Sequence, residues 1–304
     1  MRTLLAVQTL GYLVPRTRFS GRIHSVFEQA CNLECDVAHG RGLLTLSRRD
    51  TSVGPTTLRL ASDELGDLRN RFGGGEPRAL PREPVAHRPR RALFAMGRGL
   101  GAVRHPGVRR DDEGFPSNLT CTAGRIGAHC RRAHAQLAAQ RGSRSSVIDA
   151  QAAPVAAALA DACRNLDTQA ALAQAQRLIG WGEGLTPAGD DFLVGLLAAL
   201  HALMQNDPAR RHLHDALAAQ IASHVQRTTP IAAHYLLLGA AGHFSEPLLG
   251  LRNALFTQAD ASLVDTALRR ALAVGATSGA DTVAGLLAGL SAWLAPCTGR
   301  TIAA

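Results

Sequence analysis

The chain contains no lysine: every one of its 33 basic residues is arginine. That absence excludes a Walker-type P-loop, a lysine Schiff base and a kinase-type catalytic lysine, each of which needs an ε-amino group. Aromatic residues make up only 4% of the chain, which leaves little for stacking on bases. The six cysteines, Cys31, Cys35, Cys121, Cys130, Cys163 and Cys297, include no CxxC pair and no Cys/His spacing of the zinc type, so reduced thiols and a cytoplasmic location are expected. Long apolar runs are missing too. The apolar stretches Leu193–Met204 and Val283–Ala295 fall well short of the roughly 20 residues that span a bilayer. The opening MRTLLAVQTLGYLVPRTRF carries a single early charge and no small-residue cleavage site before Tyr12 and Pro15, so neither a secretion signal nor membrane attachment is expected.

What the chain does have is enough apolar residue, 46% of 304, to bury a substantial core. Its net charge of +9 is uneven, with nineteen arginines against twelve acids up to residue 115. The excess centres on Pro81 to Arg110, where eight arginines are accompanied by Phe94 as the one aromatic. No nucleic-acid motif goes with them, and nucleic acid is not expected as a partner. Among the twelve histidines, the pair His212-x-His214 has no third residue at ligand spacing and fits a solvated helix face better than a metal site.

Short β-prone and alternating runs fill Arg22 to Leu60, broken at His39-Gly40 and Val53-Gly54-Pro55; they predict antiparallel strands. The arginine-, glycine- and proline-rich stretch 71–116 predicts loop or linker, and alanine-rich helical periodicity runs from about Thr122 onward. The fold class expected is therefore α+β. A small β-rich N-terminal part over 1–115, ending in that linker, precedes a larger and mostly helical part over 116–304.

One motif in the helical part recurs. GWGEGLTPAGDDFLVG, from Gly180 to Gly195, places Gly180, Gly182 and Gly184 in alternation ahead of Thr186-Pro187 and the acids Asp190 and Asp191. Thr186 fits a helix N-cap and Pro187 the first helical residue, with the two aspartates as exposed first-turn charges favoured by the dipole. Three alternating glycines exceed what a turn needs and suit close approach of backbone to a ligand. The pattern D-x-x-x-G-L-L-A-x-L runs from Asp191 to Leu200 and again from Asp281 to Leu290, the second time behind a cap at Thr277 or Ser278. A third entry, RTTPIAAHYLLLGAAG, repeats the Thr-Pro start at Thr229-Pro230, with Arg227 and Thr228 just ahead. Gly195 lies four residues after Asp191, and Gly285 four after Asp281. The two helices are thus predicted to cross near these glycines, with both carboxylates at one end of the contact.

If the three helix starts converge, their free amides and hydroxyls form an anion site for carboxylate or phosphate. The candidate binding residues are Gly182, Gly184, Thr186, Gly189, Arg227, Thr228, Thr229, Thr277 and Ser278. Asp190, Asp191 and Asp281 are the candidate catalytic residues, because uncompensated carboxylates in an anion site need a role. Three stay open: a Mg²⁺ bridging Asp and phosphate, hydrogen bonds from Asp to the N–H groups of an amide or carbamoyl substrate, and acid–base work by the aspartates.

These three motifs, in this order, resemble the AllH-type family, well over the helical half and more loosely from Ser25-Val26-Phe27 to Gly54-Pro55. The resemblance implies a subunit of an oxamate carbamoyltransferase of allantoin breakdown and purine nitrogen metabolism. In that reaction oxalurate and phosphate give oxamate and carbamoyl phosphate, with FdrA-like and AllG-type subunits as partners. Related small-molecule enzymes of nitrogen or carboxylate metabolism, and a non-catalytic assembly or anion-binding subunit, are the other functions considered. The stretch 81–110 is not matched to the family.

Overall fold

Glycine decides how the two central helices of the helical part meet. A computed structural model describes residues 7–15, 19–27, 29–37, 40–48, 51, 53–61, 91–94, 119–140, 151–204, 207–256 and 260–294. The chain divides into two compact units, 1–114 and 115–304, and the fold is α+β.

The first unit carries a six-stranded sheet: β1 (Val7–Leu10), β2 (Phe19–Val26), β3 (Ala30–Val37), β4 (Gly40–Ser47), β5 (Thr57–Leu60) and β6 (Arg91–Phe94), in the spatial order β1-β5-β4-β3-β2-β6. Cys31, Leu33 and Cys35 alternate onto one face of β3, as period-two patterning requires. Leu33 pairs with Leu44 and Cys31 with Leu46 on β4, and these side chains are buried with Leu58 and Leu60. On the other face the amide of Asn32 is satisfied by the Thr45 hydroxyl, which donates to Oδ1 at 2.9 Å, and by Ser25 Oγ, which accepts from Nδ2 at 3.2 Å.

Two features depart from the sequence expectation. β4 and β5 run parallel, not antiparallel, over Thr45–Ser47 and Thr57–Arg59. So short an overlap lets the chain return through residues 48–56 without a long crossover. The return is fixed from β1's side, where Gly11 N–H donates to Thr57 O at 2.7 Å and Leu13 N–H to Pro55 O at 2.9 Å. A side chain at Gly11 would overlap the Pro55 carbonyl oxygen. The second departure is β6, which lies inside the stretch predicted as linker and pairs antiparallel with β2, Phe19 against Phe94 through Arg22 against Arg91. Four residues among prolines and glycines give no periodicity to read, and only the open edge of β2 makes them a strand. The rest of the arginine-rich stretch lies outside the described residues.

The second unit contains α1 (Leu119–Gln140), α2 (Ala153–Arg164), α3 (Thr168–Leu178), α4 (Ala188–Met204), α5 (Pro208–His224), a 3₁₀ turn (Val225–Arg227), α6 (Pro230–Ala240), α7 (Glu246–Phe256), α8 (Ala261–Leu272) and α9 (Ser278–Leu294). α4 and α9 form its centre. α5, α6, α7 and α3 pack on α4, while α1, α2 and α8 pack on α9. Leu193, Leu196, Leu197, Leu200, Leu286, Leu287 and Leu290 are fully buried, each contributing about 1.5–3 kcal/mol through removal from water. No helix among the described residues is long and apolar enough to cross a membrane.

The crossing of α4 and α9 rests on absent side chains. A methyl group at Gly195 would overlap the Thr282 carbonyl oxygen, and one at Gly285 would overlap that of Phe192. At Gly289 it would stand 2.6 Å from Ala199 Cβ. Backbone therefore touches backbone, in each direction, about two turns into each helix.

Gly195→Ala should accordingly destabilise the protein by at least about 1–3 kcal/mol through overpacking. Gly250→Ala, at an exposed α7 position with nothing within 4 Å, should stabilise it by about 0.5–1 kcal/mol through helix propensity. Urea denaturation of the two variants reads the contrast, and equal effects would remove the glycine contact from the account.

Candidate functional site

The crossing sets the first turns of α4 and α9 side by side. Asp190 is 1%, Asp191 8% and Asp281 0% exposed, so neither Asp190 nor Asp191 is the exposed first-turn charge that the sequence predicts. The correction has a physical cause. A helix start is solvated only when nothing packs over it, and here the other two helix entries fold against it. Thr186 Oγ1 and Ser278 Oγ are 2.7 Å apart, joining the entry of α4 to that of α9. The Thr229 hydroxyl donates to Leu185 O at 2.5 Å and also caps α6, accepting from Ala232 N–H at 3.1 Å. Thr228 donates to Asp190 Oδ2 at 2.5 Å. The three entries are thus tied together by hydroxyls.

Asp190 and Asp191, adjacent in sequence, have different surroundings. Asp190 has both oxygens occupied, Oδ1 by the Gly180 N–H at 2.9 Å and Oδ2 by the Thr228 hydroxyl. Burial raises its pKa and these two hydrogen bonds oppose the rise. It fastens the glycine loop and the α6 entry to α4. Asp191 instead keeps Oδ2 buried without a hydrogen-bond partner. Burial pushes its carboxyl up to about 8, helped by the negative charges of Asp281 and Asp190 and opposed by the hydroxyls of Ser278 and Thr186.

The glycine loop is shaped by backbone. Gly180, Gly182 and Gly184 all have left-handed φ, at 75°, 109° and 90°. A side chain at Gly180 would also stand 2.6 Å from Arg227 O, and one at Gly182 would stand 2.8 Å from Ala188 N. Gly182 and Gly184 are exposed, whereas Gly189 is buried against the end of α3, where a methyl group would overlap Leu178 O. Gly189 is therefore a packing residue. Gly180, which the candidate binding set leaves out, holds Asp190; a carboxylate ten residues downstream gives no local sign of that bond.

The helix-start amides proposed for an anion are already engaged. Gly189 N–H donates to Trp181 O, and those of Asp190 and Asp191 to Pro187 O. Gly279 N–H donates to Val274 O, and those of Ala280 and Asp281 to Thr277 O, which gives Thr277 its role through its carbonyl. Thr186 lies two residues before the first residue of α4 and places its hydroxyl on Ser278. Arg227 is exposed and donates from Nη1 to Gln176 O at 3.1 Å, on α3. Among the described residues, no group of three or more His, Cys, Asp or Glu side chains is placed to hold a metal ion. What the site offers is carboxyl and hydroxyl.

One histidine also differs from expectation. His212 is exposed but His214 is only 4% exposed, because α5 turns it toward α4, where its ring lies 5.4 Å from that of His201. His234 on α6, which the sequence does not single out, is 8% exposed, and burial brings its pKa down to about 4.

Comparison with known families agrees with the motif order. Residues 178–290, which contain every candidate site residue, match the family model described as oxamate carbamoyltransferase subunit AllH. Residues 4–80 match the AllH family N-terminal domain. No solved structure matches the chain.

Asp190→Asn replaces an acceptor-only group, held by two donors, with an amide that must turn its NH₂ toward one of them. The expected cost is about 1–3 kcal/mol, the range for a buried, charge-assisted hydrogen bond. Thermal denaturation measures it, and an unchanged melting temperature would contradict the latch.

Proposed function

The chain belongs to the AllH family, and from that premise we propose that it is a subunit of an oxamate carbamoyltransferase whose substrate carbamoyl group is bound at Asp191. The observation that carries this reading is the buried Asp191 oxygen left without a hydrogen-bond partner among hydroxyls. A carbamoyl or amide NH₂ supplies the donor that such an oxygen lacks, and the cost of leaving it unmet, about 1–3 kcal/mol, favours a ligand that meets it. The reaction proposed is oxalurate plus phosphate to oxamate plus carbamoyl phosphate, in allantoin-derived nitrogen catabolism in the cytoplasm.

The charge of the site supports a shared one. Oxamate, oxalurate and phosphate are anions, while three buried aspartates line this end and Arg227 donates to Gln176 O. Among the described residues no arginine is turned to this end, and we assign the cationic groups for the carboxylate and phosphate to the FdrA-like or AllG-type subunits. Asp190, with both oxygens occupied, positions the loop and does not touch substrate. The second reading, a non-catalytic assembly subunit, is favoured by one observation: Leu185 on the glycine loop and Leu237 on α6 are 37% and 43% exposed, apolar contacts that suit a partner surface.

Reconstitution with the partner subunits separates the two. Asp191→Ala should leave co-purification intact and lower carbamoyl transfer by about 10²-fold or more, the scale of loss for a group acting on the reacting atoms. Full activity in an intact complex would favour the assembly reading.

A further inference from the structure

Two buried carboxyl groups stand at one end of the crossing of α4 and α9. Asp191 on α4 and Asp281 on α9 occupy matching first-turn positions beside a crossing in which backbone touches backbone, so the two first turns lie at one end of a close contact. Both are more than nine-tenths buried, and one Asp191 oxygen has no hydrogen-bond partner. Two ionised carboxylates in such a place repel each other across a poorly screened gap, and the usual resolution is that one stays protonated.

We infer that Asp191 and Asp281 hold one proton between them at neutral pH, so that this end of the site selects a neutral amide or ureido group over a carboxylate or phosphate. A half-protonated pair donates through its O–H and accepts through its carboxylate oxygens. An amide or ureido group offers the complement, a C=O acceptor and N–H donors in one plane. A carboxylate or phosphate meets the pair's remaining negative charge. This rests on the carbamoyl-binding reading above for its ligand, but not for its proton.

The direction of Asp191's shift agrees, upward through burial and through the charges of Asp281 and Asp190. Buried His234 and His214, whose pKa values burial lowers, add a contribution of opposite sign below about pH 6.5 that wild type and Asp191→Asn share, so the difference between the two reads Asp191. Glu183 and Arg227 of the loops and Arg177 of α3 are exposed. His234 of α6 stays neutral, His214 of α5 bonds Asp215, Arg252 of α7 donates to Asn253, and Asp265 of α8 is held by Arg132.

The sign for stability follows by linkage. The folded chain keeps a proton that the unfolded chain releases near the ordinary carboxylate value of about 4. The associated stability is full below that value and is lost as pH rises through about 8. The wild-type melting temperature should therefore fall across that window by more than that of Asp191→Asn, which cannot ionise. The infrared spectrum of the wild-type chain at neutral pH should also show a protonated carboxyl C=O band, and it is read without any variant. N-acetylurea, a neutral ureido probe, should raise the melting temperature of the full chain at neutral pH where acetate does not. Asp191→Asn, which keeps a donor and an acceptor, should retain that effect and Asp191→Ala should lose it. Parallel pH profiles or a missing carboxyl band would overturn the shared proton. Equal responses to N-acetylurea and acetate, or none to either, would overturn the ligand selectivity. Absence of carbamoyl transfer in the assembled complex, with these results in place, would instead count against the proposed function alone.

Discussion

The contact of backbone on backbone between α4 and α9 governs the helical unit. Gly195 against Thr282 and Gly285 against Phe192 let two strongly apolar helices approach more closely than any side chain would permit. Both aspartates precede their glycines by one helical turn, so close approach at the glycines brings the carboxyl-bearing first turns together. Packing and chemistry are therefore not separate features of these helices. The same repeated pattern that buries the leucines also places Asp191 next to Asp281.

Around that pair the hydroxyls and glycines have divided tasks. Thr186 and Ser278 join two entries, Thr228 and Gly180 occupy Asp190, and Thr229 caps α6 while holding Leu185 O. Asp190 is fully engaged, which stiffens the loop, whereas Asp191 retains an unmet oxygen. Native structures hydrogen-bond nearly all of their buried polar atoms, which makes this oxygen the position where the proposed ligand binds. The site is thus rigid where it is structural and unsatisfied at one acidic position. Its described lining is acid and hydroxyl, and the family is described as one subunit of a transferase.

Much of this was legible in the sequence because it depends on spacing. Alternation over Arg22 to Leu60 gave strands, and the four-residue step from each aspartate to its glycine gave the crossing and the meeting of the two carboxylates. What spacing does not encode is what folds over a helix start. Asp190 and Asp191 look like solvated first-turn acids until Thr228 and Ser278 arrive from 38 and 87 residues away. For the same reason the helix-start amides look free although Trp181, Pro187, Val274 and Thr277 engage them, and Arg227 looks poised for an anion although Nη1 lies on Gln176 O. The parallel β4–β5 pair and the short β6 depend on an edge being available, which is a property of the sheet and not of the strand. His214 lies on the side of α5 that buries Leu217, Ala218 and Ile221, and its burial follows from that face packing inward.

The central claim is that Asp191, and not the helix-start amides, receives the substrate. An experimental structure of the assembled complex with oxamate bound tests it most directly. The account requires the oxamate amide nitrogen within hydrogen-bonding reach of the Asp191 carboxyl, about 2.7–3.2 Å, with the oxamate carboxylate directed away from Asp281 toward a cationic side chain of another subunit. Oxamate seated with its carboxylate on the first turns of α4 and α9, or Asp191 covered by a partner side chain with the ligand elsewhere, would contradict it.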